Sequence, residues 1–122
     1  TVESKPEYQV VVAISMGDLK TAIFLALRSE PGMSVVATAV NTAELLTYTR
    51  GFQPDVIILE WELKGRPMMD VLPQLIQVSP SSKIFVISKP SFFEQIRDLP
   101  ANENIICVDE AHNAILKSIK NH

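Results

Sequence analysis

The chain has 122 residues, room for one well-buried core and too little for two ordinary domains. Hydrophobic residues make up 47% and charged residues 20%, which excludes a disordered or fibrous chain. A net charge of −3, a pI near 5.3 and no Lys/Arg cluster leave no surface for gripping a phosphate backbone, so direct nucleic-acid binding is not expected.

Residues 1–7 are polar, unlike a signal peptide, and read as a tail before a domain over 8–122. The run Val10 to Ile14 is continuously apolar, rich in β-branched residues and too short for a helix. It predicts a strand buried on both faces. Leu19, Ala22, Ile23, Ala26 and Leu27 then recur at helical spacing, with Asp18 as candidate N-cap and Pro31-Gly32 beyond the end. Ser34 to Val40 is a more mixed run that suits an edge strand. Asn41 with Glu44 forms a capping-box-like pair for a second helix, and Gly51 after Arg50 is its expected left-handed stop.

Val56 to Leu59 predicts a third strand. Pro73 is tolerated only in the first turn of the helix that follows, which makes Asp70 the expected cap. Ile84 to Ile87 is a fourth strand, followed by a short helix announced by Ser91 with Glu94 and stopped by Pro100. Ile105 to Val108 is a fifth strand, and its Cys107 reads as a buried strand residue without a disulfide partner. A last helix is expected over Glu110 to Lys120, with Ile115 and Ile119 on its buried face and lysines near its end.

Strand and helix thus alternate five times, which calls for a mostly parallel sheet with helices on both faces and right-handed crossovers. No apolar stretch reaches the roughly 18 residues that span a bilayer, so no membrane association and a cytoplasmic location are expected. The chain opens on Thr1 without Met, which suggests a piece cut from a longer protein.

In such sheets reactive groups gather outside the carboxyl ends of the strands. Four places qualify: Ser15 to Asp18, Glu60 to Gly65, Ser88-Lys89 and Asp109-Glu110. The first loop has only Gly17, too few glycines for a dinucleotide or triphosphate cradle. His112 and His122 have no Cys or Asp at ligand spacing, so no metal centre is expected. A G-x-S-x-G elbow is also lacking.

The strand ends carry a resemblance. Pro54-Asp55-Val56-Ile57-Ile58-Leu59-Glu60-Trp61-Glu62-Leu63-Lys64-Gly65 resembles the pattern P-D-V-[IL]-[IL]-L-D-W-E-L-P-G of response-regulator receiver domains in bacterial two-component systems. The Ser29-Glu30-Pro31 turn, the strand Lys83 to Ser88 and the spacing from Glu60 to Ser88 are similar to the family's, and the likeness runs over about Tyr8 to Lys120. It implies a single flavodoxin-like, doubly wound α/β domain with a five-stranded parallel sheet in the order 2-1-3-4-5.

The resemblance also implies which positions carry chemistry. The family's phosphoacceptor Asp falls at Glu60, and its switch hydroxyl at Ser88. Its metal-binding acidic pair falls at Ile14-Ser15, or Ser15-Met16 in the neighbouring register, which leaves Asp18 as the nearest acid. The lysine that neutralises phosphoryl charge falls at Val108, and the aromatic switch residue at Ile105. Phosphoryl transfer depends on positioning and on neutralising charge with metal and lysine. With those groups replaced, Mg²⁺ binding is expected to be weak or absent, with no other cofactor and no enzymatic activity.

The favoured expectation is a degenerate pseudo-receiver that acts through protein–protein contact in phosphorelay signalling. Its partners would be a second copy, an output domain or another signalling protein, and the role of a sensor histidine kinase stays open. Within that reading Glu60 is either a solvated remnant or a mimic of phosphoaspartate, its extra methylene reaching toward Ser88 with Lys89 lending charge. A conventional phospho-switch would use Glu60, Glu62 or Asp18 instead. A small flavodoxin-like ligand-binding module, with Trp61, Met68 and Met69 as an apolar lip, is the remaining alternative.

Overall fold

The computed structural model describes residues 8–15, 17–99 and 102–110. The predicted last helix, His112, His122, Pro100, Met16 and the tail lie outside them. Five parallel strands form one sheet: β1 (Tyr8–Ala13), β2 (Met33–Ala39), β3 (Val56–Glu60), β4 (Lys83–Ser88) and β5 (Ile105–Asp109), in the order β2-β1-β3-β4-β5. The mixed run is indeed the edge strand β2. Along it Val10 faces Val35 while Val11 faces Ala37, so Val36 is an extra residue that bulges the edge.

Alternate residues of the apolar runs enter two cores. Val11, Ala13, Ile57, Leu59 and Val86 pack on one face with Leu45, Leu72, Leu75 and Ile96, which come from α2 (Thr42–Phe52), α3 (Met68–Val78) and α4 (Phe93–Arg97). Val10, Val12, Ile58, Phe85, Ile87 and Val108 pack on the other face with Ile23 and Leu27 of α1 (Gly17–Arg28). Each such Val, Leu, Ile or Phe side chain contributes about 1.5–3 kcal/mol by leaving water. Cys107 is only partly covered, because its strand is the other edge of the sheet.

Helix ends depart from the sequence expectations in instructive ways. Asp18 lies inside the first turn of α1, where its charge meets the positive end of the helix dipole. In α2, Asn41 Oδ1 accepts from the Glu44 amide at 2.8 Å as predicted, but Glu44 reaches back to the Val40 amide. Gly51 does not stop this helix. It stays helical, and Gln53 takes the left-handed conformation at φ 48°. The Gln53 side-chain amide compensates by donating to the carbonyls of Arg50 and Val78 at 3.2 and 2.8 Å.

Asp70 is likewise in the first turn of α3 and is not its cap; Pro67 holds that place without a side-chain bond. The helix starts early because Met68, Val71, Leu72 and Leu75 form the apolar stripe that has to be buried. Pro73 therefore falls in the helix interior, on its exposed side. Ser91 caps nothing: Pro90 opens a 3-10 turn over Pro90–Phe92, and α4 follows with no side-chain cap.

Candidate functional site

Glu60 ends β3 at the carboxyl edge of the sheet, in one row with Ile87 of β4 and Val108 of β5. It is 5% exposed, so it is not a solvated strand-end acid. Its Oε1 accepts from the Ser15 amide at 2.8 Å and from the Ser15 hydroxyl in a shorter bond. The side chain therefore reaches the loop after β1. Ser88 Oγ donates instead to the Lys89 carbonyl at 3.0 Å.

Three strand ends are held together here by backbone bonds. The Trp61 amide donates to the Ile87 carbonyl, and the Glu110 amide to the Ser88 carbonyl, each at 2.9 Å. Between them lies a cleft of about 120 Å³, lined by Ser15, Glu60, Ser88 and Lys89, with Trp61 and Phe92 as its aromatic wall. The two rings stand 5.7 Å apart at a 32° tilt. Glu62 and Glu110 sit exposed at the rim.

The other predicted positions lie elsewhere in function or place. Ile14 is fully buried in the core on the α1 side, and Val108 is 3% exposed in that same core. Ile105 opens β5 opposite Ile84 and is half-buried against the other core. Met68 belongs to that core and Met69 packs against it, while Trp61 is covered by Phe92, so the three do not form an open lip. Asp109 stands across from Ser88.

Sequence reasoning missed Phe92 and Thr42. Nothing in the Phe92-Phe93 pair says which ring turns toward Trp61. Thr42 clamps the loop after β3: its amide donates to the Lys64 carbonyl at 2.8 Å, and its Oγ1 accepts from the Arg66 amide at 3.0 Å. Gly65, at φ 119°, is what lets the loop approach so closely. The glycine was visible in the sequence; the threonine it serves was not.

No family model matches the sequence. Over 67 residues, 55% of the chain, it is 40% identical to a protein-glutamate methylesterase/protein-glutamine glutaminase of Oleidesulfovibrio alaskensis, and the match spans 17% of that protein's length. Among solved structures, the signal receiver domain of the response regulator NarL from Mycobacterium tuberculosis superposes with a TM-score of 0.76 at 18% identity, over 96% of both chains. The response regulator domain of Thermotoga maritima CheB gives 0.73 at 17%, over 94% of this chain and 92% of that one. Salmonella typhimurium RcsB gives 0.79 at 14%, over 96% of this chain and 58% of that one.

The fold is the receiver fold.

Among the described residues, the carboxyl edge of the sheet offers few free oxygen donors. Ile14 is apolar and Ser15 offers a hydroxyl already given to Glu60. One Glu60 oxygen is occupied by two donors, and no three His, Cys, Asp or Glu side chains group for a metal ion among the described residues. Hard divalent cations require oxygen ligands converging on one point. The described helices include none long and apolar enough to cross a membrane.

Proposed function

We propose that this chain is a receiver-type domain of two-component signalling, degenerate at its acceptor position, which works in the cytoplasm by contact with other proteins and not by phosphoryl transfer. One observation carries this reading: the carboxylate at the acceptor position is buried and held by the Ser15 amide and hydroxyl. An acid engaged in that way is a poor nucleophile, and among the described residues no metal-binding group stands beside it and Lys89 forms no ion pair with it, so a phosphoryl group's spreading charge is left without a held counter-charge. Each tenfold loss of rate corresponds to about 1.4 kcal/mol of barrier, so losing two or three such contacts removes most of the catalysis.

The Ser15 contacts to Glu60 and the Thr42 contacts to the loop after β3 support a scaffold on which a second copy, an output domain or a signalling partner docks. The test is treatment of the chain with acetyl phosphate, and separately beryllofluoride, in the presence of Mg²⁺. Intact mass and amide NMR shifts are then recorded. The expected result is an unchanged mass and an unchanged spectrum; a stable phosphoryl adduct, or saturable shifts centred on Glu60, overturns the proposal.

A further inference from the structure

Glu60 is a buried acid that pairs with no cation among the described residues. Its side chain lines the cleft, and among those residues only one of its two oxygens is taken, by Ser15. Lys89 lines the same cleft, yet it is exposed and no ion pair joins it to Glu60, Glu62 or Glu110. A buried carboxylate is costly unless hydrogen bonds or a cation offset its lost hydration. The surroundings describe what cation would serve. Two further carboxylates stand at the rim and two aromatic rings form the wall.

Aromatic faces attract cations, most strongly organic ones that shed water easily. The carboxylates do not converge as metal ligands do. A guanidinium, planar, weakly hydrated and carrying five donors in a fork, bridges separated acceptors and stacks on rings as a metal ion cannot. The volume of about 120 Å³ admits such a head group and leaves the rest of its side chain outside.

The geometry points to this cleft as the site for an arginine side chain presented by a protein partner, its N–H groups on Glu60 and the rim carboxylates and its plane against the aromatic wall. This rests on the protein-contact reading above and names the chemistry of the partner.

Trp61 is the only tryptophan in the chain, so its emission reports on the cleft alone. The chain is titrated with N-acetyl-arginine methylamide, and in parallel with N-acetyl-glutamine methylamide and with magnesium chloride, at matched ionic strength. The expected result is a saturable emission change with the arginine probe only. Binding weakens about tenfold in Glu60→Gln, as loss of one charge-assisted pair requires. Glu110→Gln, at the exposed rim, weakens it severalfold without touching the core, and circular dichroism checks that both variants are folded.

A flat titration, an equal response to the glutamine probe, saturation by magnesium alone, or undiminished binding in both variants overturns the assignment. Such a failure, with the acetyl phosphate result still negative, removes the cleft as a docking site and leaves the protein-contact reading in place. A phosphoryl adduct removes that reading itself.

Discussion

The Ser15 amide and hydroxyl donate to the same Glu60 oxygen, so the end of β3 and the loop after β1 are joined through a single atom. Ser15→Ala keeps the amide bond and loses the hydroxyl one. A hydrogen bond to a charged group contributes about 1.5–3 kcal/mol, and the urea midpoint is expected to fall by an equivalent amount. An unchanged midpoint would show that the hydroxyl contact adds nothing. Glu60→Asp, one methylene shorter, draws the carboxylate away from Ser15 and is expected to destabilise as well. It also remains unlabelled by acetyl phosphate, because Ile14 and Ser15 still supply no carboxylate.

Two glycines should respond to alanine in opposite directions. A β-carbon on Gly65 would overlap Thr42 Oγ1 and sit 3.2 Å from the Thr42 amide nitrogen, at a φ of 119°. Gly65→Ala is expected to cost about 1–3 kcal/mol and to speed hydrogen exchange at the Arg66 amide, which Thr42 Oγ1 protects. Gly51 is helical and has open space around it. Gly51→Ala therefore stabilises by about 0.5–1 kcal/mol, and thermal melts of the two variants decide the sign of each.

Pro73 interrupts α3 at its exposed side and deprives the Met69 carbonyl of its helical donor. Interior proline costs a helix about 3 kcal/mol relative to alanine, partly offset by the freedom alanine restores to the unfolded chain. Pro73→Ala should raise stability by about 1–2.5 kcal/mol on that balance. A lower melting temperature would mean that the proline ring itself is needed for packing.

Burial pushes the Cys107 thiol above its ordinary value of 9.0, and Arg97 nearby pulls it partly back. A raised thiol keeps its proton in the folded state at pH values where the unfolded chain has begun to lose it. Its contribution to stability is thus fully present below the unfolded value and is lost as pH rises through the folded one. At pH 8 iodoacetamide should modify Cys107 more slowly than it modifies a free peptide thiol. Arg97→Ala should slow it further, and a faster rate in that variant would contradict the charge effect.

What the sequence revealed follows from how locally each feature is encoded. Continuous β-branched runs such as Val56 to Leu59 can satisfy their burial only inside a parallel sheet, so the strands and their alternation with helices were legible, as was the edge character of β2. The Asn41 cap was legible because donor and acceptor lie three residues apart. Helix ends governed from a distance were not. Gln53 displaces Gly51 as the stop because its amide finds the Val78 carbonyl of another helix, and Asp70 gives way to Pro67 because Met68 has a core to enter. At the site, the positions of Glu60 and Ser88 could be located in advance. That Glu60 turns to Ser15 depends on a separation of 45 residues that no spacing rule encodes.

The surplus residue Val36 has a consequence for how copies of the chain meet. A free sheet margin invites a further strand only where its donors and acceptors continue in step. On β2 that rhythm breaks at its midpoint, between Val35 and Ala37, so a strand docked in register with one half is out of register with the other. Growth of the sheet from molecule to molecule is disfavoured on this side, even though the residues from Met33 to Ala39 carry no charge to repel it.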